Sequence, residues 1–246
     1  RRCCGGRTLA AHGAEVLHVT APHLPGFPDL VLDVNRGKRA AELDLREAAD
    51  RAVLRGLAAG ADVFIQGYRP GAVAAHGFGP AALAGLRPGI VVVSLSAYGE
   101  VGPWAAKRGF DSLVQTATGF NLAEAEAAGV APPKVLPCQA LDHASGYLIA
   151  FGAIAALLRR AEEGGSWLVR VSLAGTGRWL RGLGRLPEGF AAPEPTPEEV
   201  AALSETTESG FGRLTALRHP GEMSETPPRW ALPAVPLGTH PAEWAG

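Results

Sequence analysis

The sequence predicts an α/β protein built on a parallel sheet. Short apolar runs alternate with helical patterns through the first 184 residues, the order expected of strands joined by crossover helices. One run, IVVVSLSAY at 90–98, is almost continuously apolar, as in a strand with both faces covered.

Taken in order, AEVLHVT (14–20) and LVLDV (30–34) read as short strands separated by the Pro-rich turn APHLPGFP. REAADRAVLRGLAA (46–59) has a helical rhythm with Ala49, Val53, Leu54 and Leu57 on one face. ADVFIQG (61–67) is a strand running straight into the turn YRPG. After the 90–98 strand come a polar, Gly-rich loop and a helix start within 97–119. A helix over 143–162, a strand WLVRVSL (167–173) and a helix around 174–183 follow. Beyond Gly184 the stretch PEGFAAPEPTPEE reads as a linker or surface excursion. GFGRLTALRH returns as a strand, and the tail ends in PAVPLGTHPAEW. The organisation expected is a core over 1–184, with 185–246 forming a Pro-rich linker and a C-terminal segment that returns to it.

Composition narrows the function. A net charge of -1 gives no electrostatic reason to expect nucleic acid or an anionic membrane as partner. No apolar run reaches the roughly 18 residues of a membrane span, since 147–158 is too short. RRCCGGRTLA lacks the apolar segment of a secretory signal. Three cysteines, with Cys3 and Cys4 adjacent, make no disulfide framework, so a cytoplasmic location is expected. His12, His18 and His23 lack metal-ligand spacing and no Cys-x-x-Cys occurs, so no metal is expected. Neither a G-x-G-x-x-G nor a Walker loop is present, and there is no G-x-S-x-G elbow.

Four places carry candidate chemistry. In LPCQALDHASGYLIAFGAIAALLRR (136–160), Asp142 stands at the entrance of a long apolar helix. Asp is a preferred N-cap, and a carboxylate at a helix N-terminus is also stabilised as an anion and able to act as a nucleophile. Both roles fit Asp142. His143 is adjacent and therefore points about 100° away, which disfavours an Asp-His dyad. In DVNRGKR (33–39), Arg36, Lys38 and Arg39 surround Gly37 and suit either a phosphate-rich ligand or a solvated turn. QGYRPG (66–71) sits at the carboxyl end of a strand, where ligands of open α/β sheets bind. The loop AYGEVGPWAAKRGFDS offers Lys107 and Arg108 as further phosphate contacts or as surface charge.

The order of these motifs is more specific than any one of them. LAAHGAEVLHV, D-x-NRGKR-x-x-x-LDL, ADVFIQGYRPG, PGIVVVSLSAYGEVGP, RGFDSLVQTATG and ALDHASGY…AALLRR together resemble the class III CoA-transferase (CaiB/BaiF) family over roughly residues 7–177. The final PLGTH resembles the family's C-terminal segment. The resemblance implies a Rossmann-like parallel sheet with flanking helices, a small domain that is here reduced or incomplete, and an interlocked homodimer. It implies coenzyme A or acyl-CoA as substrate, a carboxylic acid as co-substrate and no prosthetic group. By position in the motifs, Asp142 falls on the catalytic aspartate and Gly146 on the glycine of the same motif. Lys38 matches a CoA-contacting lysine, Tyr68 an aromatic residue near CoA, and Arg108 sits close to another cationic contact; Arg36 is grouped with them. The sequence also departs from the pattern. Gly67 and Ala75 replace an asparagine and an arginine that hold CoA in formyl-CoA transferase. The strand ahead of the first helix and the glycine-rich closing loop have no recognisable counterpart.

The resemblance implies two functional readings, and the departures from its pattern raise a third. The first is CoA transfer through an acyl-aspartyl anhydride on Asp142. The second is a 2-methylacyl-CoA racemase, which needs two opposed acid/base groups. In racemases a histidine precedes the aspartate of the G-x-D motif; here Phe110 does, and it carries no proton. The third is a catalytically silent CoA-binding or scaffold subunit. Phe110 and the intact DHASG favour transfer.

Overall fold

The computed structural model describes residues 4–24 and 26–245, so Cys3 lies outside the described residues. The chain divides into two compact units. One comprises Asp62–Pro193 with the start of the chain through Gly5; the other comprises Gly6–Ala61 with Glu194–Gly246. This division does not follow a boundary at 184. The Pro-rich tail groups with the N-terminal quarter of the chain.

In the first unit, β3 (Val63–Gln66), β4 (Val91–Ser96) and β5 (Trp167–Ser172) form a parallel sheet in the order β3-β4-β5. All six residues of β4 are buried, as its apolar run foretells for a central strand covered on both faces. The helices α4 (Pro80–Leu86), α5 (Asp111–Ala117), α6 (Phe120–Ala128), α7 (Ala140–Glu163) and α8 (Leu173–Gly182) complete it. At about 1.5 Å per residue, the 24 residues of α7 reach about 36 Å. It packs on β5, β4 and α8, and its buried residues include Leu141, Ser145, Ile149, Ala153 and Ala156, with Ser145 hydrogen-bonded to Thr176 of α8. Small residues permit the approach: a Cβ on Gly152 would lie 2.7 Å from Val169 Cγ1. By length and composition α7 could cross a membrane, contrary to the run-length expectation. Ala, Gly and Ser extend its charge-poor stretch beyond the strongly apolar 147–158.

In the second unit, β1 (Leu17–Thr20) pairs in parallel with β2 (Arg39–Glu42). LVLDV, expected as a strand, is instead the end of helix α2 (Pro28–Val34). Two start signals outweigh its β-branched content: a proline in the first turn, where the missing N–H costs nothing, and Asp29 beside the positive end of the helix dipole. Helix α3 (Ala48–Gly60) forms as expected, but its buried face is Leu54, Leu57 and Ala58, with Val53 exposed. Only one flank of the anticipated stripe meets a neighbour. The Pro- and Glu-rich linker contains a short helix, α9 (Pro197–Ala202), which the composition concealed. Thr196 and Glu199 form a reciprocal capping box around Pro197. The expected strand in GFGRLTALRH is β7 (Gly212–Leu217), in an antiparallel hairpin with β6 (Ser204–Ser209).

Candidate functional site

Chain direction places the start of α7. Near its C-terminal end, Arg160 donates to Gly89 O (3.2 Å) and Asp62 Oδ1 (2.9 Å), both at the entries to β4 and β3. The N-terminus of α7 therefore lies toward the carboxyl ends of the parallel strands, where open α/β sheets hold their ligands. There Asp142, half-buried, occupies the third position of the helix.

Asp142 is not the cap of its own helix. The helix begins at Ala140, three residues ahead of the start expected at 143; its N-cap is Gln139, whose side chain makes no capping bond. The acceptor comes from elsewhere in the chain. Asp111 Oδ2 receives the Asp142 backbone N–H at 2.7 Å, while the His143 N–H goes to Gln139 O. Asp111 is fully buried, and its other oxygen accepts from Gln115 Nε2 one turn along α5. Gln115 Nε2 also lies 3.4 Å from Cys138 O, immediately before α7. A local cap was unnecessary because a tertiary one supplies an acceptor for a first-turn amide. In the sequence, RGFD points to Phe110 and gives Asp111 no role of its own. The signal available was an Asp four residues before a Gln at a helix start.

Gly109 fixes where Asp111 can sit. A Cβ at Gly109 would come within 2.8 Å of Val114 Cγ2 and 2.9 Å of Ala97 Cβ, so this backbone is seated against the end of β4. Phe110, in the racemase histidine position, is exposed. Arg108 is exposed on the same loop, and Lys107 lies 4.1 Å from the centre of the Trp104 ring. Leaving β3, Tyr68 is partly exposed and its N–H donates to Gln66 Oε1 at 2.9 Å. Gln66 Nε2 in turn donates to Ser94 Oγ, which donates to Glu100, itself paired with Arg170. One polar chain thus ties the Tyr68 turn and the 97–110 loop to three neighbouring strands. Asp142, Tyr68 and Arg108 belong to this unit; Arg36 and Lys38 belong to the other.

In the second unit the NRGKR turn is built around the C-terminal segment. Gly37 N–H donates to Leu232 O, Asn35 Nδ2 to Val235 O, and His240 N–H to Ala40 O, with His240 Nδ1 accepting from Ala40 N–H. Gly37 has φ 77°, and a Cβ there would strike Trp230 Cδ1 at 2.6 Å and Ala10 Cβ at 2.8 Å. Arg36 is almost fully buried. It pairs with Glu205 and Asp33, donates to Leu217 O at 2.7 Å, and lies 3.7 Å from the centre of the Trp230 ring. Those are the contacts of a cation that organises its own unit, rather than the open guanidinium a phosphate would meet. Lys38 is also buried, its Nζ lying 3.3 Å from where a Cβ on Gly6 would be. His219, beside His12 and Trp230, has its pKa held below the usual histidine value by burial, and the nearby Arg7 and Arg36 act in the same direction.

This geometry defines a class: an α/β protein with a parallel sheet and an acidic helix start at the carboxyl ends of its strands. The description "CoA-transferase family III" belongs to a family model that matches residues 3–196, and the chain is a member of that family. It is 34% identical over 213 residues to the probable fatty acyl-CoA transferase Rv3272 of Mycobacterium tuberculosis, covering 78% of this chain and 53% of that protein. It is 33% identical over 132 residues to the acetyl-CoA:oxalate CoA-transferase of Acetobacter aceti, covering 54% and 33%. A crystal structure of Rv3272 matches with a TM-score of 0.81 at 20% identity, over 96% of this chain and 92% of that one. A CaiB/BaiF family protein from Brucella suis matches at 0.65 and 22% identity, over 85% and 60%. At such identities the structural likeness speaks for the fold alone. The chain spans about half the length of the first curated relative and a third of the second.

Proposed function

We propose that the protein transfers CoA from an acyl-CoA donor to a carboxylic acid, with Asp142 as nucleophile. The observation that carries this is the Asp142 carboxylate in the first turn of α7, whose backbone N–H is held by the buried Asp111, toward the carboxyl ends of the strands. In that turn the helix dipole favours negative charge. A carboxylate oxygen of Asp142 attacks the thioester carbonyl carbon, the C–S bond breaks, and CoA leaves as thiolate, giving an acyl-aspartyl anhydride. By the end of turnover the thiolate sulfur is bonded to the acceptor's carbonyl carbon and the donor acid has left as its carboxylate. Oxyanion donors at the helix start would be the amides of Ala140 and Leu141, because those of Asp142 and His143 are already engaged. In the same reading Tyr68 and Arg108 meet the CoA moiety; in the second unit Arg36 maintains the turn that carries Lys38.

Phe110 speaks against the racemase, which needs a proton carrier at that position. The silent scaffold draws support from Gly67 and Ala75, which stand where formyl-CoA transferase holds CoA with an asparagine and an arginine. Intact-protein mass after incubation with a panel of acyl-CoAs and hydroxylamine trapping separates the two. An acyl or CoA adduct mapped to Asp142 and absent from Asp142→Asn is expected. A folded, CoA-binding protein that gives no adduct with any donor would refute transfer.

A further inference from the structure

We propose that Asp111 is a positioning residue for Asp142, a role that rests on the reading of Asp142 as nucleophile. The side chain of Asp142 leaves the same Cα whose N–H is held by Asp111 at 2.7 Å. Fraying or rotation of the first turn would carry the carboxylate with it. Helix ends are where such motion is easiest, because the first amides lack intrahelical partners. Gln139 supplies no side-chain cap, so this restraint comes from α5.

The restraint is itself anchored at several points. Asp111 is fully buried, and Gln115, which donates to its second oxygen, is nearly so. Gln115 reaches on to Cys138 O, so α5 grips the segment entering α7 as well as its third residue. The close seating of Gly109 on Ala97 and Val114 transfers the position of β4 to Asp111. Asp111 is fully buried with each oxygen accepting a hydrogen bond inside the protein, so it acts through Asp142 and does not meet substrate. Placement matters to this degree because attack on a thioester requires reacting atoms about 3–3.5 Å apart, and an error near 1 Å costs about 10²-fold in rate.

The test compares Asp111→Ala with Asp111→Asn in the full chain. Two things are measured: the single-turnover rate of adduct formation on Asp142 against acyl-CoA concentration, and hydrogen exchange of the Asp142 amide. In Asp111→Ala the limiting rate is expected to fall about 10²-fold with the half-saturating donor concentration unchanged, and amide protection to be lost. Asp111→Asn retains an acceptor oxygen toward Asp142, and Gln115 can turn its own carbonyl to the new amide. It should therefore recover most of the rate and the protection. A purely stabilising cap would leave the limiting rate of the folded fraction unchanged, and that result overturns the proposal. So does an Asp111→Asn variant as slow as the alanine one. If Asp111→Ala does not fold, Asp111→Asn and Gln115→Ala decide: the first must retain the rate and the second must lower it. If wild type forms no adduct, the nucleophile reading fails; amide protection lost in Asp111→Ala and kept in Asp111→Asn still upholds the clamp, and unchanged protection removes it.

Discussion

Replacing Gly146 with alanine tests how closely α1 (Cys4–Ala11) and α7 must approach one turn beyond Asp142. A Cβ on Gly146 would lie 2.5 Å from Cys4 Cβ, 3.2 Å from Cys4 C and 3.2 Å from Gly5 N. The contact is reciprocal, since a Cβ on Gly5 would lie 2.5 Å from Ile149 Cγ2. Carbon atoms prefer separations of about 3.5–4.0 Å, so the overlap is about 1 Å. The obstructing atoms are a buried Cβ and backbone, with no flexible tip to swing aside. Overpacking costs about 1–3 kcal/mol, and this geometry belongs at the upper end. Alanine recovers about 1 kcal/mol of helix propensity, leaving a net loss of about 2 kcal/mol. For a chain of this size that corresponds to a fall in Tm of about 4–8 °C. Gly56, in the middle of α3, is the control: nothing lies within 4 Å of its added Cβ. Gly56→Ala should therefore gain about 0.5–1 kcal/mol. Thermal and urea unfolding followed by circular dichroism measure both. A Gly146→Ala protein as stable as wild type, with Gly56→Ala behaving as stated, would refute the close-approach reasoning.

Arg36→Ala strands Glu205 and leaves the Trp230 face uncovered; because Glu205 is partly exposed, the loss should sit near the lower end of the 3–5 kcal/mol expected for a broken buried pair, about 3 kcal/mol. A drop in affinity for CoA with unfolding unchanged would instead show that Arg36 serves the ligand. His219 titrates below its unfolded value of 6.5, so between the two pKa values the unfolded chain binds more protons and stability rises with pH. Stability is accordingly lost as pH falls through about 6.5 and levels off below the folded value; denaturation midpoints across that range should flatten in His219→Gln, and an unaltered profile would rule this histidine out. Thr196→Ala removes one half of the capping box on α9 and should cost about 1 kcal/mol, read by unfolding, or by exchange if the helix frays alone.

The strands were legible where sequence pattern and environment agree. The β4 run is apolar because both faces are covered, and the adjoining strands at 63–66 and 167–172 follow it in register. LVLDV misled because five apolar and acidic residues have no decisive period, and the deciding proline and Asp29 lie ahead of them. The family was legible as an order of motifs, whereas the long-range contacts that support those motifs were not. Asn35 meets Val235, Gly37 meets Leu232 and Ala40 meets His240, across separations that no local window spans. The basic turn suits either a phosphate-rich ligand or a solvated turn in sequence, because its counter-charge and aromatic partner arrive from the distant Glu205 and Trp230.

In the proposed reading, Asp142 and Asp111 divide two tasks that the sequence alone assigns to one residue. An N-cap aspartate folds its carboxylate back onto the amides of its own first turn, which fixes where its oxygens point. Here a first-turn amide is satisfied by Asp111 from another helix, so that end of α7 is restrained wherever the Asp142 carboxylate is directed. The consequence is a separation measurable in variants. Substituting Asp142 should affect chemistry far more than stability, and substituting Asp111 should affect both. A sequence that places catalyst and cap on one aspartate predicts equal loss of both at Asp142. Unfolding curves and adduct rates for the two alanine variants, compared side by side, distinguish the one-residue arrangement from the two-residue one.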